Sequence, residues 1–209
     1  MYPLILKDIL LLKKLILLIL GFILFFFFLE NSSAFAIAVA GFAFIQNSGS
    51  FDDRSRSDLM WNSLPISRSK IVSAKYITVL LFGLFVIGIV ILFQVIMHFL
   101  LNMYEQPFPE VNQIMVGFLT MLIAGAIYYP IYYKFGEKYA RILLMIIMFG
   151  IIILGNIVWY VVQEEAEKVI AFFSQNSSEQ LVVYGIVVTV LLYGISWALS
   201  IKVYNAKDF

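Results

Sequence analysis

Long uninterrupted apolar runs constrain this chain more than any other feature. Of its 209 residues, 63% are hydrophobic and 13% are charged, whereas soluble domains carry about a quarter charged residues. A single soluble core cannot bury so much apolar surface, so the surrounding solvent must be a lipid bilayer. The sequence therefore predicts an all-α membrane protein with one transmembrane domain. The net charge of +1 does not indicate a nucleic-acid partner.

The apolar runs predict six transmembrane helices. These spans lie at residues 15–29, 34–50, 71–101, 114–133, 142–162 and 181–201. The first two are shorter than the ~20 residues that a span needs, so they require length from their flanks or local thinning of the bilayer. Residues 1–14 suit a helix lying in the membrane interface, or they begin the first span. Cleavage of residues 1–34 as a signal peptide is the less favoured alternative.

Positive charges fall on alternate loops. Lysine and arginine cluster near the N-terminus, between the second and third spans, at 134–141 and in the C-terminal tail, and only Lys168 lies in an odd-numbered loop. Since cytoplasmic loops carry the excess of basic residues, both termini are expected in the cytoplasm. We expect a multi-pass protein of a bacterial plasma membrane.

Several local features near the predicted loops carry their own predictions. Lys75 lies close to the start of the third span, within snorkelling reach of the surface. Residues 128–133, YYPIYY, predict an interfacial belt of tyrosines, and Pro130 should kink or end its helix. Residues 134–141 are expected to form a short basic loop.

The longest polar insert, segment 52–69, separates the second and third spans. Ser57 or Asp58 can cap a short helix there, and Pro65 would end it. Trp61 belongs to the residue type most favoured as an interface anchor. Ser67 can cap the third span. From the residues alone two interpretations are open: a docking element for another protein, or an ordered loop with Trp61 dipped in the membrane interface.

Residues 62–76, NSLPISRSKIVSAKY, resemble the small permease subunits of type-2 ABC exporters, in the short-chain branch. The resemblance implies the type-2 ABC exporter fold, with a cytoplasmic coupling helix in segment 52–69 that contacts a separate ABC ATPase subunit. It also implies a second permease copy, as a homodimer or a heterodimer. The residues expected to couple to the ATPase are Asp53, Asp58, Leu59, Trp61, Asn62, Leu64, Pro65 and Arg68.

The resemblance also indicates the class of cargo, and the sequence itself indicates where the energy source lies. Members of this branch export amphipathic peptides, such as phenol-soluble modulins, and peptide antibiotics, so an amphipathic or similarly hydrophobic cargo is expected. The sequence contains no Gly-x-x-x-x-Gly-Lys-Ser/Thr phosphate loop. We therefore expect no cofactor in this chain, with ATP and Mg²⁺ bound by the partner. The alternative is a non-transporting membrane anchor or scaffold for a cytoplasmic protein.

An intramembrane enzyme is disfavoured. His98 and the pair Glu164-Glu165 are typical of a membrane protease. Such a protease, however, requires an arginine at the position of Val169 and more than one histidine to hold its metal. Polar residues within spans are costly in lipid and mark candidate positions along a translocation path. Hydrogen bonding between helices is their more favoured role. These residues are Gln94, Thr120, Asn156 and Gln163.

Overall fold

The computed structural model describes residues 33–54, 67–101, 108–146 and 178–207, together with Gly21. These residues form helices and no strand. We label the helices α1 (Ser33–Arg54), α2 (Arg68–Leu101), α3 (Val111–Phe135), α4 (137–146) and α5 (Ser178–Asn205). The helices α1, α2, α3 and α5 are long and apolar enough to cross a membrane. The predicted all-helical membrane architecture is thus confirmed for this part of the chain.

Four predicted spans lie within the described helices. The runs at 34–50, 71–101, 114–133 and 181–201 fall inside α1, α2, α3 and α5. The predicted interfacial helix at 1–14, nearly all of the span at 15–29 and residues 147–162 of the fifth span lie outside the described residues. The count of six spans therefore stays a prediction.

Helix α3 is the centre of the bundle, with α1 on one side and α5 on the other. Gly117 lets α1 and α3 approach closely, because a Cβ there would lie 2.6 Å from the carbonyl oxygen of Ala34. Gly49 of α1 makes room for Tyr128 in the same way, since a Cβ would lie 2.0 Å from the phenol oxygen. Small residues at such positions are the usual means by which helices pack in lipid.

Directional hydrogen bonds join α2 to α5. The Tyr76 hydroxyl lies 2.7 Å from Ser196 Oγ and 2.8 Å from Ser200 Oγ. Tyr193 donates its hydroxyl to the backbone carbonyl of Tyr76 at 2.9 Å, and Trp197 Nε1 donates to Ser73 Oγ at 3.0 Å. These contacts are buried or partly buried, so they fix the register of the two helices against each other.

The tyrosines of residues 128–133 do not form an interfacial belt. Tyr128, Tyr129, Tyr132 and Tyr133 are all buried in the core. Their spacing of i, i+1, i+4 and i+5 places them on one face of α3. That face turns inward, where Tyr129 packs 5.1 Å from Tyr76 and Tyr133 packs 5.0 Å from Tyr204, measured between ring centroids. The predicted belt is wrong because the face is covered by α1, α2 and α5.

The predicted loop at 134–141 is also corrected. Helix α3 continues through Pro130 and ends at Phe135. Gly136 has a φ of 89°, a conformation that favours glycine, and its N–H donates to the carbonyl of Tyr132 at 2.9 Å. Helix α4 begins at the next residue. The interruption is therefore a single-residue break between two helices rather than a loop.

Candidate coupling site

The helices gather polar residues at both ends of the bundle. At one end Ser33 Oγ donates to Gln94 Oε1 at 3.3 Å, and the backbone N–H of Ser33 donates to Gln113 Oε1 at 3.2 Å. Gln94 is buried there, and its hydrogen bond with Ser33 joins α2 to α1. At the opposite end α1 finishes, α2 begins, and α5 finishes. Segment 52–69 connects α1 to α2 at this second end, which is the candidate coupling site.

A buried ion pair joins α1 to α2 at the candidate coupling site. Lys75 Nζ lies 2.5 Å from Asp52 Oδ2 and donates to Ser48 Oγ at 2.7 Å. Asp52 is 4% exposed and Lys75 is 7% exposed. The predicted snorkelling of Lys75 is therefore wrong, because its ammonium is directed to a carboxylate on the neighbouring helix. Ser48 and Asp52 are four residues apart, so they lie on one face of α1.

Arg68 binds the carboxyl end of α5. Its Nη1 donates to the backbone carbonyls of Tyr204, Asn205 and Lys207 at 3.5, 3.0 and 2.8 Å. The last carbonyls of a helix have no partner within that helix, so a guanidinium stabilises this end by hydrogen bonding and by charge. Ser67 occupies the N-cap position of α2, and its carbonyl accepts from Lys70 N at 2.9 Å.

A second polar cluster links α1 to α4 at the same end. Ser50 Oγ donates to Glu137 Oε1 at 2.7 Å. Arg141 Nη2 donates to both Ser50 Oγ and Glu137 Oε1. The predictions from the sequence did not include this cluster. Glu137 and Arg141 are four residues apart with the acid first, which is the favoured order for an ion pair on a helix, and this spacing is readable in the sequence.

The predicted coupling and path residues fall in different places. Asp53 is exposed in the last turn of α1. Thr120 is exposed and lies on a groove of about 220 Å³ between α3 and α5, whose other lining residues are mainly apolar. Gln94 lies at the opposite end of the bundle from Arg68. The following predicted residues lie outside the described part of the chain: Asp58, Leu59, Trp61, Asn62, Leu64, Pro65, Asn156 and Gln163.

Comparison with known proteins identifies the family. No curated protein matches the chain, and no solved structure matches it. Residues 3–205 match the family described as ABC-2 family transporter protein. This match covers nearly the whole of the 209 residues. The chain is therefore a multi-pass membrane protein that belongs to the ABC-2 transporter family.

Proposed function

We propose that this chain is the permease subunit of an ATP-driven exporter, coupled to a separate ATPase chain through segment 52–69. Membership of the ABC-2 transporter family supports a transport role in the membrane. The sequence has no phosphate loop of its own. ATP and Mg²⁺ are then bound by the partner, and this chain supplies the membrane path and the surface on which the partner acts.

The observation that carries this proposal is the attachment of segment 52–69 at both of its ends. Asp52 is held to α2 by Lys75, and Arg68 is held to the end of α5 by three backbone carbonyls. A loop with free ends would absorb a push by bending. A segment with anchored ends passes the displacement to the helices, which suits the rocking of helix groups between inward and outward states.

The charges around the candidate coupling site support a cytoplasmic location. Arg54, Arg68 and Lys70 lie in or beside segment 52–69, and Lys202 lies in the last turn of α5 at the same end. Under the positive-inside rule this end faces the cytoplasm, where an ATPase would reach it. The C-terminus is then cytoplasmic, and with six spans the N-terminus is as well; we propose a bacterial plasma membrane as the location.

The proposed cargo is an amphipathic peptide or a similarly hydrophobic molecule. The groove between α3 and α5 is lined by Val116, Leu119, Thr120, Ile123, Val182, Gly185 and Thr189. None of these side chains is charged, so the surface suits an apolar cargo face. The groove lies on one side of a small unit, and we propose that two permease copies form the path together. Export of a small hydrophilic solute but not of an amphipathic peptide would contradict this cargo class.

Trp61→Ala tests the coupling role, with Trp159→Ala as the matched control at the predicted extracytoplasmic end of the fifth span. We expect that Trp61→Ala no longer copurifies with a phosphate-loop ATPase, or that its complex with the ATPase hydrolyses ATP without export. The control should retain both copurification and export. Normal assembly and normal export in Trp61→Ala would refute the coupling role. An ATPase-free complex with another cytoplasmic protein would instead favour the membrane scaffold.

A further inference from the structure

The buried ion pair bridges the two helices that segment 52–69 connects. Asp52 lies in the last turn of α1, and Lys75 lies in the second turn of α2. Their side chains meet at 2.5 Å, with Ser48 as a second acceptor of the Lys75 ammonium at 2.7 Å. The pair therefore closes a ring, in which the polypeptide from Asp52 to Lys75 is one side and the contact between these two side chains is the other.

We infer that Ser48, Asp52 and Lys75 form a clamp that fixes the two ends of segment 52–69 relative to each other. This inference rests on the proposed function, since it states how a displacement of the segment reaches the membrane helices. With the clamp closed, the ends of α1 and α2 move as one unit. With the clamp broken, a push on the segment separates the two ends and is lost. The three residues are positioning residues rather than contacts to the ATPase.

Stability alone does not account for a pair of this kind. Removing two charges from water costs more than their attraction returns in many proteins, so apolar residues of similar volume often serve stability equally well. A charged pair has directional hydrogen bonds, which hold one register between two helices where apolar packing tolerates several. Ser48 adds a second directional contact on the same face of α1.

The first test measures the distance between the two ends of the segment in the full chain. The sequence contains no cysteine, so Asp53→Cys and Lys70→Cys place two spin labels at exposed positions without background labelling. In lipid nanodiscs we expect one narrow distance distribution in this labelled chain. The distribution should broaden in Asp52→Asn/Lys75→Met and become narrow again in the charge swap Asp52→Lys/Lys75→Asp.

Thr78→Val is the matched control for loss of a buried polar group. Thr78 lies one turn after Lys75, and its hydroxyl donates to the carbonyl of Ala74 within α2 at 2.8 Å. This hydrogen bond stays within α2 and does not join it to another helix. Replacement of Thr78 should therefore leave the distance distribution narrow. The comparison of Asp52→Asn/Lys75→Met with Thr78→Val decides the outcome even where the charge swap does not fold.

The second test measures coupling in the complex reconstituted with its ATPase. The probe is a fluorescently labelled amphipathic helical peptide, and the readout is peptide transported per ATP hydrolysed. In Asp52→Asn/Lys75→Met we expect this ratio to fall about tenfold, equivalent to about 1.4 kcal/mol of lost coupling. An unchanged distance distribution, or a broadened one with an unchanged ratio, overturns the clamp. If the wild-type chain binds no ATPase, the proposed function fails, while the distance measurement still tests the clamp.

Discussion

Replacing Lys75 alone with methionine tests the energetic role of the buried ion pair. The substitution keeps most of the apolar stem of the side chain but removes the ammonium from the Asp52 carboxylate, which is 4% exposed. Breaking a buried ion pair by removing one partner costs about 3–5 kcal/mol. We expect about 3 kcal/mol, the lower end, because Asp52 lies in the last turn of α1, where fraying readmits water.

The double variant Asp52→Asn/Lys75→Met should be more stable than Lys75→Met. Both charges of the pair are then removed, and the remaining cost is that of losing the hydrogen bonds between the two side chains, about 1–2 kcal/mol. The two substitutions are therefore strongly non-additive, as expected for residues in contact. This recovery is what makes the double variant usable in the coupling measurement.

Thermal unfolding in nanodiscs, followed by tryptophan fluorescence, measures the effect. For a chain of this size 1 kcal/mol shifts Tm by about 2–4 °C, so Lys75→Met should lower Tm by about 6–12 °C. The full cycle needs the wild type, each single variant and the double variant. A Tm for Lys75→Met within about 2 °C of the wild type would refute the reasoning, since a buried pair cannot lose one partner at so little cost. Additive shifts across the cycle would refute it as well.

Three further predictions concern packing, capping and orientation. Gly117→Ala should destabilise the chain by about 1–3 kcal/mol in the same unfolding assay, because its Cβ would clash with the α1 backbone; Gly88→Ala, with no atom within 4 Å, should be neutral or stabilising and is the control. Arg68→Met should speed amide hydrogen exchange at the carboxyl end of α5 about tenfold, and unchanged exchange there would contradict the capping role. In intact cells a membrane-impermeant maleimide should label Val111→Cys but not Lys70→Cys, and the reverse pattern would invert the proposed topology.

The positions of the long helices could be predicted from apolar runs. In lipid a backbone must satisfy its own hydrogen bonds, so a long apolar run has essentially one choice of structure. The runs at 71–101 and 114–133 accordingly lie within α2 and α3. Apolar runs do not predict where a helix breaks, because Gly136 interrupts a helix with one residue and Pro130 does not interrupt it at all.

The tyrosines show why burial was harder to predict than helix position. Tyrosine is amphipathic, so its presence near a basic segment is typical of a membrane interface. The spacing of Tyr128, Tyr129, Tyr132 and Tyr133 on one face was visible in the sequence, yet it does not show what covers that face. The covering rings, including Tyr76, come from α2 and α5, far away in the chain.

The polar contacts of the candidate coupling site could not be predicted for a related reason. Asp52 and Lys75 lie on two different helices, and Arg68 reaches carbonyls 136–139 residues away. Each contact depends on which helices are neighbours and at which register. The sequence of a single helix predicts neither its neighbours nor its register against them. The Glu137–Arg141 pair lies within one helix, so its spacing is visible in the sequence.

The described helices contact one another in two ways, through close packing and through directional polar contacts. The kind of contact affects which helices would move together. Helices α1 and α3 meet mainly through close packing at Gly117 and Gly49, with one hydrogen bond from the Ser33 N–H to Gln113 at the far end. Helix α2 is instead held by directional contacts, to α5 through Tyr76 and to α1 through Lys75. Lipid supplies no hydrophobic force that would bring helices together, so such directional contacts decide which helices move as a unit. A displacement of segment 52–69 would therefore move the ends of α1 and α2 together and pass from α2 to α5.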